Sequence, residues 1–142
     1  MFMNVRWSCA GTNLPTMTKA DGGRQRRLRE QAGRRAETAA ALWLQLKGYR
    51  ILDRRARMPA CEIDLVARKG RMVVFIEVKS RRTQALALEA VTPQLRARLE
   101  EAANQWASRR RGMQDLLWRF DAVLLAAGRL PRHMRDAWRA QT

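Results

Sequence analysis

The sequence predicts one α/β domain in which helices flank a mixed β-sheet. Two long segments repeat their apolar residues at helical spacing, and the strand-sized segments between them alternate or run apolar. Apolar residues make up 46% of the 142-residue chain, which is enough to bury the core of one ordinary domain. We therefore expect the core order α-β-β-β-α-β, followed by a short helical segment at the end of the chain.

The first helix is predicted over residues 24–47, at the start of a domain that spans residues 24–142. The segment is rich in alanine, leucine, arginine and glutamate, which favour helices. Gly48 stands where a helix often ends, and Gly33 interrupts the middle, so the first part is expected to be a frayed basic lead-in. Residues 1–23 lack periodicity and carry turn formers, and we expect a disordered basic tail there.

Three strands are expected next. Residues 49–57 form the first, residues 62–68 the second, and residues 71–80, rich in valine and isoleucine, the third. Lys69-Gly70 is a turn signal between the last two, and so short a connection makes an antiparallel hairpin. In the second strand, strict alternation places two sets on opposite faces, Ile63, Leu65 and Ala67 on one and Glu62, Asp64 and Val66 on the other.

The second half of the chain is predicted to add a helix, a strand and a short final helix. Residues 81–88 are expected to form a loop. Thr92-Pro93 then opens a helix that ends near Arg110, because threonine suits the cap position and proline the first turn. Residues 118–126 have the composition of a fourth strand, and residues 131–140 are expected to be helical.

The chain is strongly basic, with 29 lysines and arginines against 13 acidic residues and a net charge of +16. Because self-repulsion costs a domain stability, such an excess indicates a polyanionic partner, with nucleic acid ahead of a membrane surface. The apolar stretches are too short to span a bilayer, and the N-terminus lacks the apolar segment of a signal peptide. Two cysteines do not make a disulfide framework, and we expect a cytoplasmic protein.

Asp64, Glu77 and Lys79 form the candidate chemical centre. Residues two apart in a strand share a face, so Glu77 and Lys79 point the same way, and the hairpin brings Asp64 alongside them. Two neighbouring carboxylates repel unless a cation lies between them, and Mg²⁺ (or Mn²⁺) is the natural one. Such an ion beside a lysine is suited to phosphodiester hydrolysis.

Glu37 is expected to complete this set from the first helix. It lies on the small, apolar side of that helix, where an unpaired acid is costly, so it should reach toward the metal site or toward Lys79. The alternative is a solvated strand face on which acids and lysine form ordinary cross-strand pairs, since Glu-x-Lys by itself is a weak pattern.

At these residues the sequence resembles a known family. The segment CEIDLVARKGRMVVFIEVKSRR resembles the signature of the YraN-like family of small bacterial proteins, which is roughly GEIDLIA, a short turn and VFVEVKTR. The likeness continues in GRRAETAAALWLQLKGYRIL, EAVTPQLRARL and RFDAVLL, and it runs from Gly33 to Trp138. That family is similar in fold to PD-(D/E)XK nucleases, especially archaeal Holliday-junction resolvases, so the resemblance implies a restriction-endonuclease-like core.

The resemblance also implies roles for single residues. Asp64 and Glu77 would be the metal ligands and Lys79 the catalytic lysine, with Glu37 as the helix glutamate of the set. Asp121 matches a position with a structural or supporting role. Junction resolvases act as dimers on two-fold substrates, so a homodimer is expected. The chain departs from the family pattern at three places outside the catalytic set, namely Ala36, Ala60-Cys61 and Leu95.

Arginines are the predicted nucleic-acid contacts. The cluster ahead of and within the first helix, which includes Arg34 and Arg35, either binds phosphates or is a solvated basic arm. Arg81 and Arg82 directly follow the strand of Lys79, which favours contact with substrate, and the resemblance adds Arg98 in the second long helix.

Apolar stripes predict the environment of the remaining large side chains. Trp43, Trp106 and Trp118 lie on such stripes and are expected in the core. Cys61 is expected to be a small buried residue, and His133, the only histidine, is expected at the surface or at a helix end.

Three functions remain open at this stage. The first is a metal-dependent endonuclease that acts on DNA, with branched repair or recombination intermediates as its substrates. The second is a non-catalytic nucleic-acid-binding protein that retains the nuclease fold, and the third is an interaction protein whose acidic pair is structural. The intact acidic set favours the first, because two adjacent acids would repel phosphates in a binding module.

Overall fold

A computed structural model describes residues 19–138, with side chains described from Gly22 onward. This part holds three α-helices, one short 3-10 turn at Met113–Asp115 and five strands. No helix within it is long and apolar enough to cross a membrane. In chain order the elements are α1 (Lys19–Leu46), β1 (Arg50–Arg57), β2 (Glu62–Lys69), β3 (Met72–Ser80), α2 (Gln84–Glu89), α3 (Pro93–Ser108), β4 (Leu117–Leu125) and β5 (Arg132–Trp138).

The five strands form one mixed sheet in the order β1-β2-β3-β4-β5. Every neighbouring pair is antiparallel except β3 and β4, which run parallel. A parallel pair needs a crossover between its strands, and α2 and α3 supply it. The predicted mixed sheet flanked by helices is therefore confirmed. The hairpin between β2 and β3 is also confirmed, with Gly70-Arg71 as its two turn residues.

The core has two parts, one on each face of the sheet. Residues Ala40, Ala41 and Leu44 of α1 pack on one face, against Leu65, Ala67, Val74, Ile76 and Val123. Helix α3 covers the other face, where Trp106 packs edge-on against Phe75 with ring centroids 5.7 Å apart. Trp106 is fully buried as predicted, whereas Trp43 and Trp118 are half-buried.

Helix α1 is longer than the sequence predicted. It begins at Lys19, inside the segment expected to be a tail, and continues through Gly33 without a break. Helix formers on both sides of that glycine outweigh its low propensity. Residues 1–18 lie outside the described residues. The predicted end is confirmed, because Gly48 adopts a left-handed φ of 89° directly after the helix.

Two predictions for the second half were wrong. The expected loop over residues 81–88 contains α2, whose N-cap is Thr83, with its hydroxyl accepting from the N–H of Leu86 at 3.2 Å. The predicted helix over residues 131–140 is instead strand β5 as far as Trp138, and the remainder lies outside the described residues. Pairing with the open edge of β4 satisfies its backbone, and Trp138 stacks on Phe120 with centroids 5.6 Å apart.

The alternation of β2 changes face at Asp64. Ile63 packs with the α3 side and Leu65 with the α1 side, although strict alternation placed both on one face. The β2–β3 register is regular only from Leu65 onward, and across the sheet Arg55 of β1 has a positive φ of 51°. Such local irregularities re-aim side chains. Here the irregularity turns Asp64 out of the regular pattern, toward the end of the sheet where β3 finishes.

Candidate metal centre

A buried acid–lysine pair lies near the carboxyl end of β3. The Nζ atom of Lys79 is 2.9 Å from Oε1 of Glu77. Both residues are almost inaccessible, with 5% of Lys79 and 3% of Glu77 exposed. The second carboxylate oxygen of Glu77, Oε2, is buried and has no hydrogen-bond partner among the described residues. A buried carboxylate oxygen without a partner is costly, so this atom is where a missing ligand is expected.

Asp64 approaches this pair from β2. Its Oδ2 accepts a hydrogen bond of 2.8 Å from the backbone N–H of Val78, a donor that a regular ladder would direct to β2. Burial raises the pKa of Asp64 well above the usual range of an aspartate, and the charges of Glu77 and Glu37 raise it further. The Val78 N–H and the Lys79 ammonium oppose this rise in pKa without cancelling it. The site therefore brings carboxylates together with too little positive charge to balance them.

Glu37 reaches the site from α1, as expected from its place on the apolar side of that helix. It is 7% exposed, and its Oε2 forms an ion pair with Nε of Arg55. Ligand oxygens of Glu37, Glu62 and Asp64 all lie within 4.8 Å of one another. This spacing is close enough for carboxylates to share a cation.

The charges and donor types of the site suit a hard divalent cation. Four carboxylates contribute four negative charges when ionised. The two closest cations, Arg55 and Lys79, contribute only two positive charges. The remaining Glu62 interacts with the more exposed Arg57 at 3.7 Å. All candidate ligands are oxygens, which Mg²⁺ and Mn²⁺ prefer over softer metals. The unpartnered Oε2 of Glu77 and the raised pKa of Asp64 are both consistent with such an ion.

Of the four residues predicted to be catalytic, Glu37 and Asp64 have ligand oxygens within 4.8 Å of each other. Glu77 and Lys79 form their own ion pair on the neighbouring strand β3, and Glu77 is not a member of the closely spaced group of Glu37, Glu62 and Asp64. The predicted nucleic-acid contacts are all exposed. Arg34 and Arg35 lie on α1 just before Glu37. Arg81 and Arg82 follow β3, and Arg98 lies on α3. As ligands or substrate contacts, all these residues stay predictions.

Sequence reasoning missed two members of the cluster, Arg55 and Glu62. Glu62 had a usable signal, because it stands two residues before Asp64 and alternation placed both on one face. Arg55 had none. It is one of several arginines in β1, and only its positive φ and its contact with Glu37 distinguish it.

A second buried polar network lies on the α1 side of the sheet. Asp121, which is fully buried, accepts from Nε and Nη2 of Arg119 at 2.7 Å each, and its Oδ2 is 2.7 Å from Nε2 of His133. The side chain of His133 is only 1% exposed and its Nδ1 lies 2.7 Å from Nζ of Lys47, so the expectation of a surface histidine was wrong. His133 lies inside because β5 pairs with β4, a pairing that the sequence pattern did not predict.

The pH dependence of stability offers a test of the crowded acids. Because the pKa of Asp64 is higher in the folded protein than in the unfolded chain, the folded state holds its proton more firmly. Folding stability therefore falls as pH rises from the unfolded aspartate value of about 3.9 through the folded pKa. We expect Asp64→Asn, which removes this titration and keeps an acceptor for Val78, to gain stability relative to wild type as pH rises.

Urea denaturation of the metal-free proteins at about pH 5 and about pH 8 measures this difference in unfolding free energy. Asp115→Asn, on an exposed residue away from the cluster, is the control and should show no such trend. A difference between Asp64→Asn and wild type that stays constant with pH would contradict the raised pKa of Asp64, which burial and then the neighbouring acids cause.

The fold and the site together define a class: a mixed-sheet α/β domain with a buried acid–lysine pair and a candidate oxygen-ligand metal centre. The chain belongs to the uncharacterised protein family UPF0102, whose family pattern matches residues 36–125 and so covers all of the acidic residues named above. The YraN-like resemblance is thereby confirmed.

Relatives in this family match most of the chain. A UPF0102 protein of Maricaulis maris is 51% identical over 115 residues, which cover 81% of this chain and 91% of that protein. A UPF0102 protein of Caulobacter vibrioides is 52% identical over 108 residues, or 76% of this chain and 86% of the relative. Another, of Paramagnetospirillum magneticum, is 46% identical over 127 residues and covers 87% and 98% of the two chains.

Proposed function

We propose that this protein is a divalent-metal-dependent nuclease that hydrolyses DNA phosphodiester bonds on a restriction-endonuclease-like core. The observation that carries the proposal is the buried Glu77, held by Lys79 through one oxygen while its other oxygen has no described partner. A purely structural ion pair would gain from satisfying both oxygens. An acid that keeps one oxygen open beside Asp64 is better explained as a ligand.

Asp64 and Glu77 would hold Mg²⁺ or Mn²⁺, with the oxygens of Glu37 and Glu62 near enough to Asp64 to assist. The chemistry that such an ion supplies when bound is stabilisation of the negative charge that builds on the phosphate. Occupation would also offset the burial and the charge repulsion that raise the pKa of Asp64. The proposal thus accounts for both unusual features of the site with one ion.

Lys79 has the role closest to the reaction. Its Nζ atom is held by Glu77 in a buried position, next to a proposed metal ligand. From there it would donate hydrogen bonds to the attacking water or to a phosphate oxygen. Glu37 is held by Arg55 and would keep the α1 side of the site negatively charged and ordered.

Nucleic acid is the proposed partner, and DNA is the proposed form. The net charge of +16 supports a polyanion, and exposed arginines border the acidic site, with Arg34 and Arg35 before Glu37 and Arg81 and Arg82 after Lys79. The substrates we propose are branched DNA intermediates of repair, bound by a homodimer in the cytoplasm. These particulars rest on the resemblance to junction resolvases.

A non-catalytic nucleic-acid-binding protein is the second candidate. It is favoured by the internal ion pairs of the site, because Arg55 and Lys79 each already neutralise one acid. In that case the acids would be structural, and metal would change neither binding nor cleavage.

Cleavage assays on linear, nicked and four-way-junction DNA, with Mg²⁺, Mn²⁺ or a chelator, separate the two candidates. We expect cleavage only with metal, and fastest on the junction. DNA binding without cleavage in any metal would refute the nuclease and leave the second candidate. Glu101→Gln, an exposed acid on α3, serves as the control variant and should cleave as wild type does.

A further inference from the structure

The first half of α1 extends beyond the body of the protein. The buried residues of this helix, from Glu37 to Leu44, all lie in its second half. Among residues 22–36 none is buried, and Ala36, the last of them, packs against the core. At 1.5 Å per residue this segment is about 22 Å long, which is the length of ~6 base pairs of duplex DNA. An extension of this size leaves a helix surface that the described part of the chain does not cover.

One face of this extension carries three glycines and several arginines, with one acid, Glu30, near its centre line. At about 3.6 residues per turn, the side of α1 that carries Glu37 continues toward the N-terminus through residues 33, 30, 26, 23 and 22. We name this surface the arm face. It includes all three glycines of residues 22–36, and its arginines are Arg26, Arg27, Arg29 and Arg34. Arg26 and Glu30, which form an ion pair, lie nearest the centre line.

No described residue gives these glycines a packing reason. A Cβ atom built on Gly22, Gly23 or Gly33 would have no described atom within 4 Å. Glycine weakens a helix, so three of them on one face of an exposed helix call for another cause. Close approach of a partner's backbone is the usual one, and the flanking guanidinium groups require that partner to be anionic.

We propose that the arm face binds duplex DNA on one side of the bond to be cleaved. The phosphate backbone would lie along Gly33, and the arginines would contact the phosphates on both sides. The face ends at Glu37, so a duplex on it would lead directly to the acidic cluster. The orientation toward a scissile bond rests on the proposed function, whereas binding of the duplex does not. Such contacts position DNA without selecting a sequence.

A second copy of the chain is a poorer occupant of the arm face. Two arm faces pressed together would bring eight arginines into contact against two Glu30 side chains, each already in a 3.4 Å ion pair with Arg26. Like charges at that density repel. The exposed leucines of α1, Leu28, Leu42 and Leu46, lie on the opposite side of the helix and do not belong to the arm face.

Salt dependence of binding gives the test. The arm variant replaces four arginines by glutamine, a good helix former, at Arg26, Arg27, Arg29 and Arg34. The matched control makes the same change at four exposed arginines near the opposite end of β3, namely Arg50, Arg71, Arg109 and Arg111. The dissociation constant for a duplex of about 30 base pairs is measured by fluorescence anisotropy in chelator, from about 50 to about 200 mM NaCl.

In the arm variant, the plot of the logarithm of the association constant against the logarithm of the salt concentration should be shallower by about 2–4. Each phosphate contact contributes ~0.9 to this slope. The affinity of this variant at the higher salt should fall at least ~10-fold, and the slope of the control, with the same net charge, should fall by less than about one unit. Equal losses in the two variants would show only the effect of net charge and would overturn the proposal.

Gly33→Gln is a second, independent test. A Cβ atom at this position has no described atom within 4 Å, and glutamine improves helix propensity, so thermal stability should rise slightly. A duplex lying on Gly33 would be displaced, and duplex affinity should fall by about 5–10-fold, the size of a local interface loss. Ala39→Gln, exposed on the other side of α1, is the control and should bind as wild type does. Unchanged binding by Gly33→Gln would overturn the proposal.

The two proposals fail in different ways. If wild type binds the duplex with an arm-dependent slope but cleaves nothing in any metal, the nuclease proposal fails and the arm face stands. If wild type cleaves DNA while the arm and control variants bind equally, the nuclease stands and the arm face fails.

Discussion

Lys79→Met and Glu77→Gln are each expected to reduce metal-dependent DNA cleavage by about 10²–10³-fold or more. Both changes preserve side-chain volume and remove one charge. Lys79→Met removes the ammonium that lies 2.9 Å from Glu77, and Glu77→Gln removes the charge of the proposed ligand. The losses correspond to about 2.7–4 kcal/mol of transition-state stabilisation. Initial rates on the preferred substrate, in saturating Mg²⁺, measure them.

Each single variant also leaves a buried charge without its partner, which alone destabilises a protein by about 3–5 kcal/mol. The double variant Lys79→Met/Glu77→Gln removes this complication. It should recover most of the stability lost by either single variant, because two neutral side chains replace the pair, yet it should remain inactive. A merely structural pair predicts the opposite, namely activity that returns together with stability.

Metal binding distinguishes the two residues. Titration calorimetry with Mn²⁺ should show at least ~10-fold weaker binding for Glu77→Gln, since it loses a proposed ligand. Lys79→Met removes a cation, not a ligand, and should bind Mn²⁺ as tightly as wild type or more tightly. Equal Mn²⁺ affinity in wild type and Glu77→Gln would contradict the role of Glu77 as a ligand.

The parts of the fold that sequence could predict are those with strong local signals. A few neighbouring residues are enough to predict the valine-rich β3, the hairpin turn at Gly70 and the cap at Thr92. All three are confirmed. The local sequence of β5 does not predict a strand. Its seven residues carry four polar or charged side chains, and only the open edge of β4 makes them a strand. Long-range pairing of this kind has no signal in a short window.

The candidate site was predictable to a similar degree. Glu77 and Lys79 follow from strand alternation and are paired in the structure, and Glu37 follows from an acid on an apolar helix face and lies in the cluster with Asp64. Arg55 could not be foreseen, because its position depends on a left-handed backbone at a non-glycine residue. The face change at Asp64 was equally hidden, since it arises where β2 stops pairing regularly with β3.

Removal of Asp121 is expected to cause a large loss of stability. The fully buried carboxylate accepts two hydrogen bonds from Arg119, lies against His133 and accepts from the backbone N–H of Asp136 at 2.9 Å. Through His133 it also connects to Lys47 at the end of α1. Asp121→Ala would leave the guanidinium and these other groups without their acceptor, so we expect a loss of about 3–5 kcal/mol in unfolding free energy.

The pH profile of this loss is the reverse of that expected for Asp64. Burial alone would raise the pKa of Asp121, but hydrogen bonds from His133, Arg119 and the Asp136 N–H together lower it below the usual range. A lowered folded pKa contributes stability above the unfolded value of about 3.9 and loses it as pH falls through the folded pKa. Wild type should therefore approach the stability of Asp121→Ala on acidification below about pH 4.

Urea denaturation from neutral pH down to about pH 3 measures this convergence, with Asp115→Ala as an exposed control that should change little at any pH. The Asp121 network joins β4 and β5 to the end of α1, whereas the metal centre lies where Glu37 of the same helix meets β2 and β3. Folded Asp121→Ala should accordingly retain Mn²⁺ binding under conditions where Glu77→Gln does not. Loss of Mn²⁺ binding in both variants would show that the two networks act as one.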